Sequence, residues 1–366
     1  MTMTTINEIF NTYGPEYIRC FGDHMPKIHL KVINAITTCR TSACGLVIYE
    51  CKSCGKSHKM FHSCGNRHCP VCQNHKMRQW LQGQLQRQLP GHHFMITFTV
   101  PQQLRRFIRS HPKKAYSALF AASADTLKAV AQNKRFIGGD LPGFFGVLHT
   151  WGRQLQYHPH IHYVVPGGAL SKSNGTWHPS QVSFFAPVKV MSKIFRAKLR
   201  DELNRLDLLQ YVDPDVWRKN VNVNCQALNN CHESVRYLAP YVFKVAISNS
   251  RIIKVEDGKV FFRYKKPRSN RWRTMELDAM EFMRRFLQHV LPTGFMKVRY
   301  YGFMSPASSV ELEKVRSLIE LAYGFDVEAP EFDQQEDAYP TCPYCGGKLE
   351  FRCWIHPLIA RIAEYG

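Results

Sequence analysis

The chain has 366 residues, 45% hydrophobic and 21% charged, a composition that supplies two or three domains with buried cores and excludes an intrinsically disordered chain. Lysines and arginines number 49 against 28 acidic residues, leaving a net charge of +21, the balance of a protein that meets a polyanion, with nucleic acid the expected partner and no membrane, since no strongly amphipathic basic helix is evident. No apolar run nears the roughly 18 residues of a membrane span, and the opening MTMTTINEIFNTYG lacks the basic and apolar regions of a secretory signal, so the expected compartment is the cytoplasm.

In chain order, residues 5–40 read as helical, with Ile28, Val32 and Ile36 on one stripe that ends at Cys39. Residues 41–75 are rich in Cys, His and Gly and have no period, so a bound metal must replace the missing core. Eight of the 13 cysteines lie between Cys20 and Cys72. In a chain with no secretory signal, such clusters read as metal sites rather than disulfides. Cys51-x2-Cys54 and Cys69-x2-Cys72, separated by 14 residues, can turn four thiolates onto one tetrahedral Zn2+, a closed and therefore structural site. A second zinc can draw on Cys39, His58, Cys64 and His68; the alternative gives the histidines phosphate contacts or places in small cores. Asn66, Arg67 and His68 form a polar tip suited to phosphate. Residues 77–89 return to a helix with Leu81, Leu85 and Leu89 on one face.

HHFMITFTVP at 92–101 is a strand closed by Pro101, and helices follow at 102–110 and 113–132. FFGVLHTWG at 144–152 and HIHYVVPGG at 160–168 read as two strands of a hairpin around RQLQYHP. On a strand, alternate residues share a face, so His160 and His162 aim at one point. Two imidazoles there suit a divalent cation such as Mg2+ or Mn2+. With the hairpin centred near 155–156, His149 falls opposite His162 and is the first choice of third ligand, Gln154 the second. A cation so held would polarise a phosphodiester for in-line attack.

A long helix at 188–209 precedes a shorter one near 231–245. The latter carries Tyr237 and Tyr241, whose i, i+4 spacing puts them on one face. Taken as residues alone, such a pair reads first as core aromatics; the chemical reading makes them nucleophiles toward phosphate, giving a 5′-phosphotyrosine. Pro240 kinks the helix between them. RIIKVEDGKVFFRYK at 251–265 is a hairpin turning at Asp257-Gly258. RYKKPRSNRWR at 263–273 interleaves aromatic rings with Arg263, Lys265, Lys266, Arg268, Arg271 and Arg273. The cations can track phosphates while Trp272 stacks on an unpaired base; the alternative is a solvated hairpin end. Helices at 276–290 and 308–323 lead to the acidic linker 327–340 and a tail in which Cys342, Cys345, Cys353 and His356 can close a small zinc site. Cys225 and Cys231 read as structural. Strands separated by helices, with antiparallel neighbours, indicate α+β rather than a doubly wound sheet.

A strand with His-x-His, a downstream Tyr-x3-Tyr and an N-terminal zinc module together resemble the HUH single-strand endonucleases. The chain is more closely similar to the rolling-circle transposases of the insertion-sequence-91 family. The matching blocks are CRTSACG at 39–45, HSCGNRHCPVCQ at 62–73, LHTWGRQLQYHPHIHYVVPGG at 148–168, YLAPYVFKVAISNSRI at 237–252, EFMRRFLQHVLPTGFMKVRYYGF at 281–303 and CPYCGG at 342–347. The resemblance implies a ferredoxin-like or RRM-like HUH palm with MITFTV at 95–100 beside the metal strand, His160 and His162 as ligands, and Tyr237 and Tyr241 as nucleophiles. It implies a bacterial, nucleoid-associated protein that nicks and rejoins single-stranded or hairpin ends of its own element and leaves a 3′-OH for host replication. His149 stays an inference from strand geometry.

The expected organisation is a helical zinc-binding DNA-recognition domain over 1–90, a tyrosine nuclease domain over 91–305, and a helix, linker and zinc-ribbon-like CxxC tail over 306–366. Three alternatives stand beside it. A plasmid replication initiator or relaxase shares the chemistry. A zinc-containing DNA-binding protein without catalysis leaves the His-x-His accidental. A histidine-triad nucleotide hydrolase uses His158, His160 and His162 without metal, and leaves the charge and the cysteines unexplained.

Overall fold

The computed structural model describes residues 5–228, 235–236, 238–239, 242, 246–266, 269, 271–324 and 340–358. They sort into two compact units, one of Met1–Lys76, Phe243–Val290 and Glu331–Gly366, the other of Met77–Val242 and Leu291–Pro330. These units cut across the expected boundaries at 90 and 305. Residues 246–290 and the C-terminal segment belong with the N-terminal module rather than with residues 91–242 or as a separate tail. The acidic stretch, but for Pro340, lies outside the described residues.

In the first unit, α1 (Ile6–Phe21) opens on a capping box: Glu8 N–H donates to Thr5 Oγ1 at 3.2 Å, and Thr5 N–H to the Glu8 carboxylate at 2.9 Å. The single helix expected over 5–40 is two. A turn at Gly22–His24 and Pro26, which has no N–H and fixes its own φ, restart the chain as α2 (Lys27–Thr37). Ile6, Ile9, Phe10, Val32, Ile33 and Ile36 are buried. β1 (Leu46–Cys51) is the middle strand of an antiparallel sheet, between β2 (Ser57–Phe61) and β13 (Leu349–Ile355). A second antiparallel sheet is built from β9 (Ile252–Glu256), β10 (Lys259–Lys265) and β11 (Trp272–Asp278). Asp257 and Gly258 both take positive φ, +48° and +74°, the conformation a two-residue hairpin loop of right-handed twist demands. The helix expected over 276–290 is α7 (Ala279–Leu287). It starts late because 272–278 pairs as β11, and Asp278 then caps the helix, accepting from Met280 and Glu281 N–H at 2.8 and 3.3 Å.

The second unit takes in α3 (Asn74–Gln86) from Met77 onward. It carries a five-stranded antiparallel sheet in the order β12-β4-β5-β3-β8. Its strands are β3 (His93–Thr99), β4 (Phe144–Trp151), β5 (Tyr157–Pro166), β8 (Asn222–Leu228) and β12 (Val298–Tyr301). Helices α4 (Leu104–Ser110) and α5 (Pro112–Gln132) join β3 to β4, and α6 (Val188–Arg205) lies between β5 and β8. A short ladder, β6 (Gly168–Leu170) with β7 (Trp177–Pro179), follows β5, and α8 (Leu312–Tyr323) follows β12. β8 and β12 go beyond the strands expected from sequence.

One face of the sheet is apolar. Phe94, Ile96 and Phe98 of β3, Phe144 and Leu148 of β4, Ile161, Tyr163 and Val165 of β5 and Val223 of β8 join the same core as Leu119, Phe120, Leu127, Phe195 and Leu199 from α5 and α6. Alternation then turns His93, Met95, Thr97 and Thr99, His149, His160 and His162, and Asn222 and Asn224 to the opposite face. Helices α5 and α6 thus cover one side of the sheet, and the polar groups collect on the other, where Trp80 of α3 packs edge-on against Phe145 with ring centroids 6.0 Å apart. Among the described residues, no helix is long and apolar enough to cross a membrane.

Candidate metal centres

Strand register brings the histidines together. β4 and β5 form a hairpin whose turn is only residues 152–156. It is held by Gly152 N–H to the Gln156 carbonyl at 2.9 Å and Leu155 N–H to the Gly152 carbonyl at 3.0 Å. The turn is shorter than expected, because β5 begins at Tyr157. The register changes with it. His149 stands opposite His160 rather than His162, and Val147 opposite His162. His149 still reaches both, with ring centroids 5.3 Å from His160 and 4.6 Å from His162, and His160 and His162 are 4.8 Å apart. One ring nitrogen from each of the three lies within 4.8 Å of the other two. His158, on the same strand, is not in this group. Gln154 lies in the turn, where its N–H donates to Gln156 Oε1 at 3.0 Å.

The surroundings suit neutral imidazoles. His160 Nδ1 is 2.6 Å from the His158 carbonyl oxygen and must donate to it, which leaves Nε2 with its lone pair outward. His162 Nδ1 is 2.8 Å from Thr97 Oγ1. Burial holds His149 and His160 well below the ordinary histidine range, and brings His162 down to about 4, with the neighbouring imidazoles adding to the effect. Three neutral imidazoles, with the second nitrogen of His160 and of His162 hydrogen-bonded, are a donor set that fits a divalent cation. His149 stacks on Trp151 at 4.9 Å and 14° between planes, which sets the plane of its ring. Thr97 was invisible to motif reading; the signal is its place one row from His162 on the neighbouring strand. Asn222 and Asn224 were missed with β8. They continue the rows through Thr99 to His160 and through Thr97 to His162 and are exposed. NVNCQAL alternates polar and apolar residues, which is the signal of a half-buried strand.

The thiols regroup. Cys51, Cys54, Cys69 and Cys72 do not share a site. Cys69 and Cys72 meet Cys39 and Cys64, with Cys72 Sγ 3.3 Å from Cys39 and 3.5 Å from Cys64. Cys51 and Cys54 meet Cys342 and Cys345 instead. The reason is the pairing of β1. Its far neighbour is β13, which delivers the C-terminal CxxC to the end of β1, whereas Cys39, at the end of α2, and the loop before Cys69 build the other cage. The second zinc set drawn from sequence is split accordingly. Cys39 and Cys64 belong to the first cage, His58 lies 3.3 Å from Cys342 Sγ, and His68 is buried elsewhere, its N–H on Asn66 Oδ1 at 2.9 Å. Cys353 is exposed on β13 opposite Ile48 and His356 packs edge-on to Trp354, so neither joins Cys342 and Cys345. Burial pushes the Cys39 thiol up to about 12, so four thiolates form there only around a cation.

Of the proposed DNA contacts, Arg263, Lys265, Trp272 and Arg273 sit on the β10–β11 hairpin, where Lys265 pairs with Trp272 and Tyr264 with Arg273. Trp272 is 52% exposed, with the Lys265 ammonium 5.4 Å and the Arg263 guanidinium 5.9 Å from its ring. Lys266 and Arg271 flank the turn, bonded N–H to carbonyl at 3.1 Å. Arg67 is half-buried, and desolvation lowers it. Arg268, Tyr237, Tyr241 and Cys231 lie outside the described residues.

Comparison with known proteins agrees with a zinc-binding role for the cysteines. Residues 9–100 match the family described as "Transposase zinc-binding domain", and residues 143–311 the family described as "Putative transposase". The chain is 35% identical over 362 residues to the "Putative transposase y4qJ" of Sinorhizobium fredii (strain NBRC 101917 / NGR234), across 91% of this chain and 88% of that protein. It is 28% identical over 361 residues to the "Transposase for insertion sequence element IS801" of Pseudomonas savastanoi pv. phaseolicola, across 90% and 85%. No solved structure matches the chain. With similarity running nearly end to end, the chain belongs to the insertion-sequence-91 family of transposases.

Proposed function

We propose that the protein binds DNA and nicks and rejoins single strands at the ends of its own element, as an HUH endonuclease of the rolling-circle type. The observation that carries this reading is the cluster of His149, His160 and His162 on the face of the antiparallel sheet opposite α5 and α6. The chain order β3-α-β4-β5-α-β8 with spatial order β4-β5-β3-β8 is the split β-α-β arrangement of a ferredoxin-like palm, and it supports the same assignment.

Mg2+ or Mn2+ held by the three imidazoles would withdraw charge from the scissile phosphate and orient it. Thr97 and the His158 carbonyl fix the ring planes that hold it. Asn222 and Asn224 would offer amide N–H groups to the strand lying across the sheet. Tyr237 or Tyr241 is the nucleophile: its hydroxyl loses a proton, its oxygen bonds to phosphorus, and the bond from phosphorus to the 3′ oxygen breaks. The products are a 5′-phosphotyrosine and a 3′-OH, which host replication can extend. Closed thiolate cages serve DNA positioning rather than catalysis.

The test is a denaturing gel of full-length protein with labelled single-stranded DNA from the element ends, with Mg2+ or EDTA. A covalent band that needs the metal and disappears in the Tyr237→Phe, Tyr241→Phe double variant is expected. No adduct from folded, zinc-loaded protein on cognate DNA would overturn the reading in favour of a non-catalytic DNA-binding protein.

A further inference from the structure

We propose that Cys51, Cys54, Cys342 and Cys345 hold a second structural zinc, which fastens the C-terminal segment 340–358 into the same module as the N-terminal CxxC. The zinc-binding family match ends at residue 100, so half of this donor set lies far outside it.

The two halves have the same local build. CKSCG at 51–55 and CPYCG at 342–346 are both Cys-x2-Cys-Gly. In each, the glycine takes a positive φ, +67° at Gly55 and +72° at Gly346, and returns its N–H to the carbonyl of the first cysteine, at 2.9 and 2.8 Å. An L side chain rarely adopts that conformation, so the glycine closes the turn around the sulfurs. The knuckles then meet. Cys51 Sγ is 3.4 Å from Cys345 Sγ and Cys54 Sγ is 3.8 Å from Cys342 Sγ, with all four sulfurs within 4.8 Å of one another. A tetrahedral Zn2+ with bonds of about 2.3 Å spaces its sulfurs by about 3.8 Å, so the cage is of the right size.

The scaffold holds that geometry. Lys52 N–H donates to the Lys348 carbonyl at 3.2 Å, and Cys51 stands opposite Leu349 in the ladder with β13. Gly347 packs so closely that an added Cβ would overlap Ser53 and come 3.1 Å from Cys51 Sγ. His58 Nε2, 3.3 Å from Cys342 Sγ, can donate to that sulfur and offset thiolate charge. The local apolar cluster is Cys51, Cys342 and Leu349 with Tyr49 packed against them, far less than three strands need without a staple. Four sulfur donors close the coordination sphere, which makes the ion structural.

The experiment counts zinc and maps thiols on the reduced full-length protein. Expected are two zinc ions per chain by elemental analysis. Cys342 and Cys345 should resist alkylation until a chelator is added, while Cys20 and Cys353, both exposed, react at once. The Cys342→Ser, Cys345→Ser variant should hold one zinc, keep Cys39, Cys64, Cys69 and Cys72 protected, and lose its C-terminal segment to limited proteolysis. Should that variant aggregate, the wild-type alkylation map decides alone. One zinc per chain with Cys342 and Cys345 as reactive as Cys353, or a Cys51–Cys345 disulfide in the metal-free pool, overturns the proposal.

Discussion

A hydroxyl on β3, that of Thr97, meets Nδ1 of His162. For Nε2 to face a cation, the proton must sit on Nδ1, and Thr97 Oγ1 at 2.8 Å is there to accept it. Thr97→Val keeps the shape and removes the acceptor. Affinity for Mn2+, read by titration against the bound-ion resonance, should fall about 10- to 100-fold, with Thr97→Ser close to wild type; equal affinity in all three proteins would show that this hydroxyl does not orient the ring. A second residue-scale expectation concerns pH. Burial brings His93 down to about 4 and lowers His92, which is held between Ser180 at 2.9 Å and Tyr323 at 3.1 Å. In the unfolded chain both titrate near 6.5, so the unfolded state binds protons first as pH falls. Their contribution is whole above about pH 6.5 and drains away as pH drops toward 4. Urea midpoints measured across that window should decline, and His93→Gln should flatten the decline; an unchanged slope would place the titration elsewhere.

Elements rich in alternating apolar residues were legible from sequence, and those with a single apolar residue per turn of the pattern were not. β3, β4 and β5 carry Phe, Ile, Val and Tyr on the core face, and read as strands. β8 shows only Val223 and half-buried Cys225 on that face, and β12 is a four-residue edge. β11 is nearly all exposed, TMELD continuing into a helix, so its strand character comes from pairing with β10 rather than from its own composition. The hairpin register moved by two residues because Leu155 takes φ +62°, which no propensity for leucine announces. Within β4, Gly146 faces Tyr163 so closely that an added Cβ would overlap its ring, and Tyr163 is locked by a 2.7 Å bond to Ser123. Gly146→Ala should therefore cost about 1–3 kcal/mol by overpacking, seen as a lower urea midpoint, and should weaken Mn2+ binding because His149 and His160 ride on the strands that must shift. A stability equal to wild type would mean that the sheet repacks freely.

At the scale of the molecule, the convergence of the histidines on one strand face could be read from sequence because His160 and His162 are two residues apart. The thiol cages could not, because Cys51 and Cys345 are brought together only when β13 pairs with β1. Spacing arguments see neighbours in the chain, and a partner nearly 300 residues away is invisible to them. The net charge of +21 needs no such pairing, and it makes a separable claim. On single-stranded DNA each neutralised phosphate contributes about −0.7 to the slope of log K against log salt. The Arg263→Gln, Lys265→Gln, Arg273→Gln variant should flatten that slope by about 2 if all three side chains track phosphates. Trp272, exposed on the same hairpin beside two of those cations, would act by stacking, which carries no counterion. Trp272→Ala should cost about 1–3 kcal/mol of binding, roughly fivefold to a hundredfold or more, at every salt concentration and leave the slope alone. Titrations of both variants at several ionic strengths separate the two effects. A slope untouched by the triple variant would move the phosphate track off this hairpin, and a Trp272→Ala variant that binds like wild type would leave the ring as a mere cover for its neighbouring cations.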